Sequence, residues 1–112
     1  MIEVVGTDEF AVWYSSLDAD DTRAVDRLVD LLEEAGVRLG YPYSSALKGS
    51  KYALRELRHR GEQPLRIIYA FDPERAAVLL IGGDKKGDDR FYARIVPLAE
   101  RIWEQYLREQ AK

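Results

Sequence analysis

Cysteine is absent from the 112 residues, and histidine occurs once, at His59. The first absence excludes disulfides, cysteine-ligated zinc and a thiolate nucleophile, and the second excludes a histidine-cluster metal site. The reading is therefore of a protein that works without a metal or other cofactor. Long hydrophobic runs are missing too, and nothing approaches the roughly 18–20 apolar residues that a membrane span needs. The acidic opening, Met1-Ile-Glu-Val-Val, lacks the basic start of a signal peptide, which predicts a cytoplasmic protein with no membrane partner.

What is present is a chain of ordinary size for one domain, expected over residues 1–112, with the apolar and charged fractions of a globular protein. The net charge is −3, but it is unevenly spread. Residues 1–47 carry three basic and ten acidic side chains, whereas residues 48–94 carry eleven basic and seven acidic. Two readings follow: one cationic face able to hold phosphate, or Arg and Lys that only solvate strand ends.

Taken in order, Ile2 to Val5 reads as a short strand. Phe10, Trp13, Tyr14 and Leu17 then fall at helical spacing behind a cap at Thr7 or Asp8. Asp18 caps a second helix carrying Val25, Leu28, Val29, Leu32 and Ala35, and Gly36 stops it. The two form a helical hairpin. Val37 to Ser50 has no period and reads as irregular. Three strands follow. Tyr52 to Arg58 puts Ala53, Arg55 and Leu57 on one face and Leu54, Glu56 and Arg58 on the other. Leu65 to Phe71 and Ala76 to Ile81 are nearly continuous apolar runs, expected at the sheet centre with Asp72-Pro73 as their hairpin. Gly82-Gly83 reads as a turn. A last helix is expected behind Asp88 or Asp89, with Pro97 kinking or breaking it.

The α+β order is thus strand, helical hairpin, antiparallel three-stranded meander, C-terminal helix. This order, together with Leu47-Lys48-Gly49, Glu56-Leu57-Arg58, Arg66-Ile67-Ile68-Tyr69, the run Val78 to Ile81 and Lys85-Lys86, resembles the RelE/ParE superfamily of toxins from type II toxin–antitoxin systems. Within it the chain looks most like the phage-derived Gp49/HigB-like branch.

The resemblance implies a small sheet packed by helices and a toxin that cuts mRNA on the ribosome. In that chemistry the ribose 2′-hydroxyl attacks the neighbouring phosphorus and no metal is required. Planar guanidinium groups suit the added negative charge. Carried over position by position, the resemblance makes Arg58 and Arg66 phosphate contacts, with Lys85, Lys86 and Tyr92 completing the catalytic set. Lys48, Lys51, Arg55, His59 and Arg90 would extend an RNA track. His59 also reads as an exposed bystander, and Glu56 with Arg58 reads equally as an ion pair that only supports the sheet. Tyr69, among apolar residues, reads as core. Implied partners are the ribosome, mRNA and a helix-turn-helix antitoxin in a hetero-oligomer, with an edge strand at Ile2 to Val5 or Tyr52 to Arg58 open to an antitoxin strand. Two rivals share the scaffold: a ParE-like inhibitor of DNA gyrase that is not an enzyme, and an inactive binding module.

Overall fold

The aromatic stripe of the first helix finds its partner on one face of a five-stranded sheet, order β1-β5-β4-β3-β2. The computed structural model describes residues 1–59 and 64–112, so Arg60 and most of the turn expected at Gly61 to Pro64 lie outside the described residues. In chain order the elements are β1 (Val4–Gly6), α1 (Asp8–Ser15), α2 (Ala19–Ala35), a 3-10 turn (Gly36–Arg38), β2 (Ser44–Ala46), β3 (Arg55–Arg58), β4 (Leu65–Phe71), β5 (Ala77–Asp84) and α3 (Phe91–Gln110). β1 runs parallel to β5, and the remaining pairs are antiparallel.

The starts of the first two helices have identifiable causes. The Thr7 hydroxyl accepts from Phe10 N at 3.1 Å, and the Asp18 carboxylate accepts from Asp21 N at 2.8 Å, so both satisfy amides that a helix leaves open. Gly36 closes α2 at φ +57, in the left-handed region that a side chain would disfavour. α3 departs from expectation: its cap position is Arg90, with no side-chain cap, while the Asp88 carboxylate accepts from Arg90 N just before the helix. Nor does Pro97 break it. α3 runs unbroken through Pro97, which sits on the exposed side above exposed Ala93, so water can satisfy the carbonyl that loses its donor.

The sheet is covered on both faces. α1 and α2 pack Phe10, Val25, Leu28 and Leu32 against Leu57, Leu65, Ile67, Tyr69 and Leu79. α3 packs Phe91, Ile95, Ala99, Ile102 and Trp103 against Leu54, Ile68, Ala70, Val78 and Leu80. β4 is therefore buried at all but its last residue, as its continuous apolar run predicts. Each such fully buried Leu or Ile contributes about 1.5–3 kcal/mol, far more than strand propensity differences of about 1 kcal/mol, so burial on two sides determines the sheet centre.

Three strand assignments change. β2 is an added strand inside the segment expected to be irregular; three residues, Ser-Ser-Ala, are too few and too polar to display a period. β3 is shorter than expected and lies between β4 and β2, so it is not an edge, whereas β1 is. β5 continues straight through Gly82 and Gly83. Those glycines mark close approach rather than a turn: a Cβ at Gly82 would overlap the Trp13 ring, and one at Gly83 would lie 2.7 Å from Phe91 Cε1.

Candidate functional site

Alternation along β3 sends Arg55 and Leu57 to the α1–α2 side and Glu56 and Arg58 to the α3 side. The antiparallel register sets Arg58 beside Arg66 of β4 and Glu56 beside Ile68. The first turn of α3 then brings Tyr92 over this pair of strands, and its hydroxyl donates to Glu56 Oε1 at 3.2 Å. Beneath α3 the result is a cleft of roughly 530 Å³ lined by Ser45, Ala46, Leu47, Lys48, Glu56, Arg58 and Tyr92.

Arg58 is held from three directions. Its Nε donates to Pro42 O at 3.1 Å, its Nη1 lies 3.6 Å from Glu56 Oε1, and its guanidinium carbon lies 5.5 Å from the centre of the Tyr41 ring. A guanidinium so fixed keeps part of its edge open to the cleft, with 28% of the side chain exposed. Arg66 is buried instead, donates from Nη1 to Leu65 O at 2.9 Å and acts on the Tyr92 phenol without lining the cleft.

Glu56 is buried at 5% exposure, and its Oε2 makes no hydrogen bond among the described residues. An acceptor in that position is expensive unless something meets it. It is the only carboxylate lining the cleft among the described residues. Burial pushes the Tyr92 phenol above its ordinary value, the bond to Glu56 and the Glu56 charge push it the same way, and Arg66 opposes them. Tyr92 is consequently a retained proton beside a carboxylate, with a cation ready to stabilise its phenolate. Lys85 completes the group, its Nζ 5.6 Å from the Tyr92 ring centre.

The other candidates lie apart from this centre. Arg55 points to the opposite face, donating from Nε to Ser44 Oγ at 3.1 Å and to the hydroxyl of the wholly buried Tyr69 at 3.3 Å. Lys51 pairs with Glu104 at 3.3 Å, in a clamp where Ser50 Oγ and Lys51 N both donate to Glu100 and the Tyr52 hydroxyl donates to Glu104. That clamp holds both carboxyls below the usual range, chiefly through the Tyr52 hydroxyl for Glu104 and the Lys51 amide for Glu100. Lys86 and Arg90 are exposed and do not line the cleft; His59 is half-buried directly after β3. Lys48 lines the cleft and is exposed. Read from sequence as a supporting ion pair, Glu56 joins that pair to the cleft; the available signal was a carboxylate between Leu54 and Leu57 on a covered face.

This cleft, between an Arg-bearing sheet face and the first turn of a C-terminal helix, lies within the region that a known family shares. Residues 12–104 match the phage-derived Gp49-like protein family. The chain belongs to this family. Relatives of the Gp49-like chain include HigB3 of Mycobacterium tuberculosis, named as a toxin, at 39% identity over 97 residues, covering 85% of this chain and 84% of that one. HigB2 of the same organism, also named as a toxin, is 31% identical over 104 residues; the match covers 89% of this chain but only 52% of HigB2, about half its length. Solved structures agree on the fold. The RelBE2 toxin–antitoxin complex of M. tuberculosis matches with TM-score 0.59 at 20% identity, over 74% of this chain and 96% of that one. The archaeal RelE–RelB complex of Pyrococcus horikoshii gives 0.59 at 19%, over 77% and 97%. A double mutant of Escherichia coli toxin RelE in the free state gives 0.58 at 10%, over 80% and 90%. The HigB3 match makes the Gp49-like chain a HigB-like toxin, and the solved structures give it the fold of RelE toxins. Among the described residues no helix is long and apolar enough to cross a membrane.

Proposed function

We propose that the protein is a ribosome-dependent mRNA endonuclease that blocks translation in the cytoplasm and is neutralised by a helix-turn-helix antitoxin in a hetero-oligomeric complex. The observation that carries this reading is the convergence of Glu56, Arg58 and Tyr92 in one cleft, with Arg66 acting on the Tyr92 phenol. Glu56 takes the proton of the ribose 2′-hydroxyl as the P–O2′ bond forms. Arg58 binds the non-bridging oxygens and stabilises the added charge. Tyr92 gives its proton to the 5′-oxygen as the P–O5′ bond breaks, and Arg66 stabilises the phenolate until Glu56 returns a proton across their shared hydrogen bond. The products are a 2′,3′-cyclic phosphate and a 5′-hydroxyl. Lys85 and Lys86, in the β5–α3 connection, supply backbone attraction, with Lys48 on the cleft wall.

Induced expression in a bacterial host tests the reading. Incorporation of labelled amino acids should collapse within minutes for the wild type and continue for Arg58→Ala. Plasmid supercoiling should be unchanged. Loss of supercoiling with translation intact would replace the nuclease by a gyrase inhibitor.

A further inference from the structure

In the segment Tyr41-Pro42-Tyr43 the two tyrosines are treated in opposite ways. Tyr43 is half-buried against the α2 side of the sheet, while Tyr41 is 85% exposed, the most exposed aromatic among the described residues. An aromatic ring on a flexible loop would lower its free energy by folding back onto apolar surface. Here the turn that carries the ring is itself tied down. Tyr43 N and Ser44 N both donate to Gly40 O at 3.0 Å, and Arg58 N donates to Tyr43 O at 2.8 Å, so Tyr41 projects from a hydrogen-bonded turn tied to β3. The Arg58 guanidinium carbon lies 5.5 Å from the centre of the ring, and the exposure of Tyr41 leaves the ring open to a ligand. Arg58 is the cation on the cleft wall beside Glu56 and Tyr92.

An exposed π-face on a hydrogen-bonded turn, next to a phosphate-binding guanidinium, matches what a nucleotide offers: a flat base joined to an anion. We propose that Tyr41 is a stacking platform for one nucleobase of the single-stranded RNA whose phosphate is held by Arg58. The inference rests on the nuclease reading for the identity of the strand, and adds a base-binding position outside the catalytic group. Stacking on one ring tolerates any base, so the platform sets register along the strand rather than recognising a sequence. Arg58 serves both parts, since it lies beside the ring and also lines the cleft.

The test is binding of a fluorescein-labelled 2′-O-methyl RNA dodecamer, which cannot be cleaved, to the full chain, read by anisotropy. Tyr41→Ala should weaken binding about five- to a hundred-fold, and Tyr41→Trp should bind at least as tightly as the wild type. Replacing the bases by abasic sugars should erase the difference between wild type and Tyr41→Ala. Binding by Tyr41→Ala equal to wild type, with Arg58→Ala weakened, would overturn the platform and leave the phosphate site standing. No binding by the wild type, or binding indifferent to both substitutions, would overturn the platform, while the nuclease reading stands or falls separately on cleavage in the presence of ribosomes. Circular dichroism of each variant separates loss of fold from loss of contact, and Tyr41→Trp keeps the test decisive if Tyr41→Ala is unfolded.

Discussion

At the residue scale, the most informative side chain is Tyr92. Its hydroxyl donates to a carboxylate that is otherwise short of donors, and burial with the neighbouring negative charge keeps its proton in place. Tyr92→Phe removes one oxygen and leaves the ring on Phe91 and beneath Lys85. Loss of that bond should cost about 1–2 kcal/mol of stability, because Glu56 loses a buried donor. Cleavage should fall about 10²–10⁴-fold, the usual contribution of a positioned acid. The raised phenol also carries a pH signature: the acid form survives to a pH above the ordinary tyrosine value, so the wild-type rate should not decline as pH rises through that value. A rate profile of wild type and Tyr92→Phe on programmed ribosomes would check both. Equal rates would assign the phenol a packing role only.

At the element scale, the β4–β5 hairpin is closed by Asp72. Its Oδ1 accepts from Glu74 N and Ala76 N, each at 2.9 Å, and its Oδ2 accepts from the Tyr106 hydroxyl at 2.9 Å, tying the hairpin to the last turns of α3. Burial, then the Asp72 bond and charge, push the Tyr106 phenol up to about 12. A phenol raised in the fold contributes stability that is complete below its unfolded value, about 10. That stability fades as pH climbs from there to about 12. Urea denaturation between those limits should therefore show the wild type losing more stability than Tyr106→Phe. Parallel curves would break the link.

The same hairpin shows what could be read from sequence and what could not. Leu65 to Phe71 was legible because a strand buried on both faces leaves an unbroken apolar run, and the Thr7 and Asp18 caps because capping chemistry is local. Ser44 to Ala46 was not, since its strand exists only through the partner that β3 presents. Gly82-Gly83 was misread for a related reason: only the assembled fold puts Trp13 and Phe91 against it. In the site, the period-two alternation of a strand is by itself enough to separate Glu56 and Arg58 from Arg55. The partner of Glu56, thirty-six residues away on α3, is a contact no local pattern carries.

At the scale of the whole molecule, charge is sorted by the fold. The acidic N-terminal third forms α1 and α2 on one face of the sheet, while Lys48, Arg58 and Lys85 gather around the opposite cleft. A net charge of −3 is thus compatible with phosphate binding, because attraction at cellular salt acts over about 8 Å and is set by the cleft. The central claim is that this cleft cuts mRNA on the ribosome through Arg58 and its neighbours. It is tested most directly by mapping mRNA 5′ ends in a cell-free translation reaction, with and without ribosomes, for wild type and Arg58→Ala/Arg66→Ala. The account predicts new 5′-hydroxyl ends inside codons, present only with ribosomes and absent in the double variant. Intact mRNA from folded wild-type protein on translating ribosomes would contradict it.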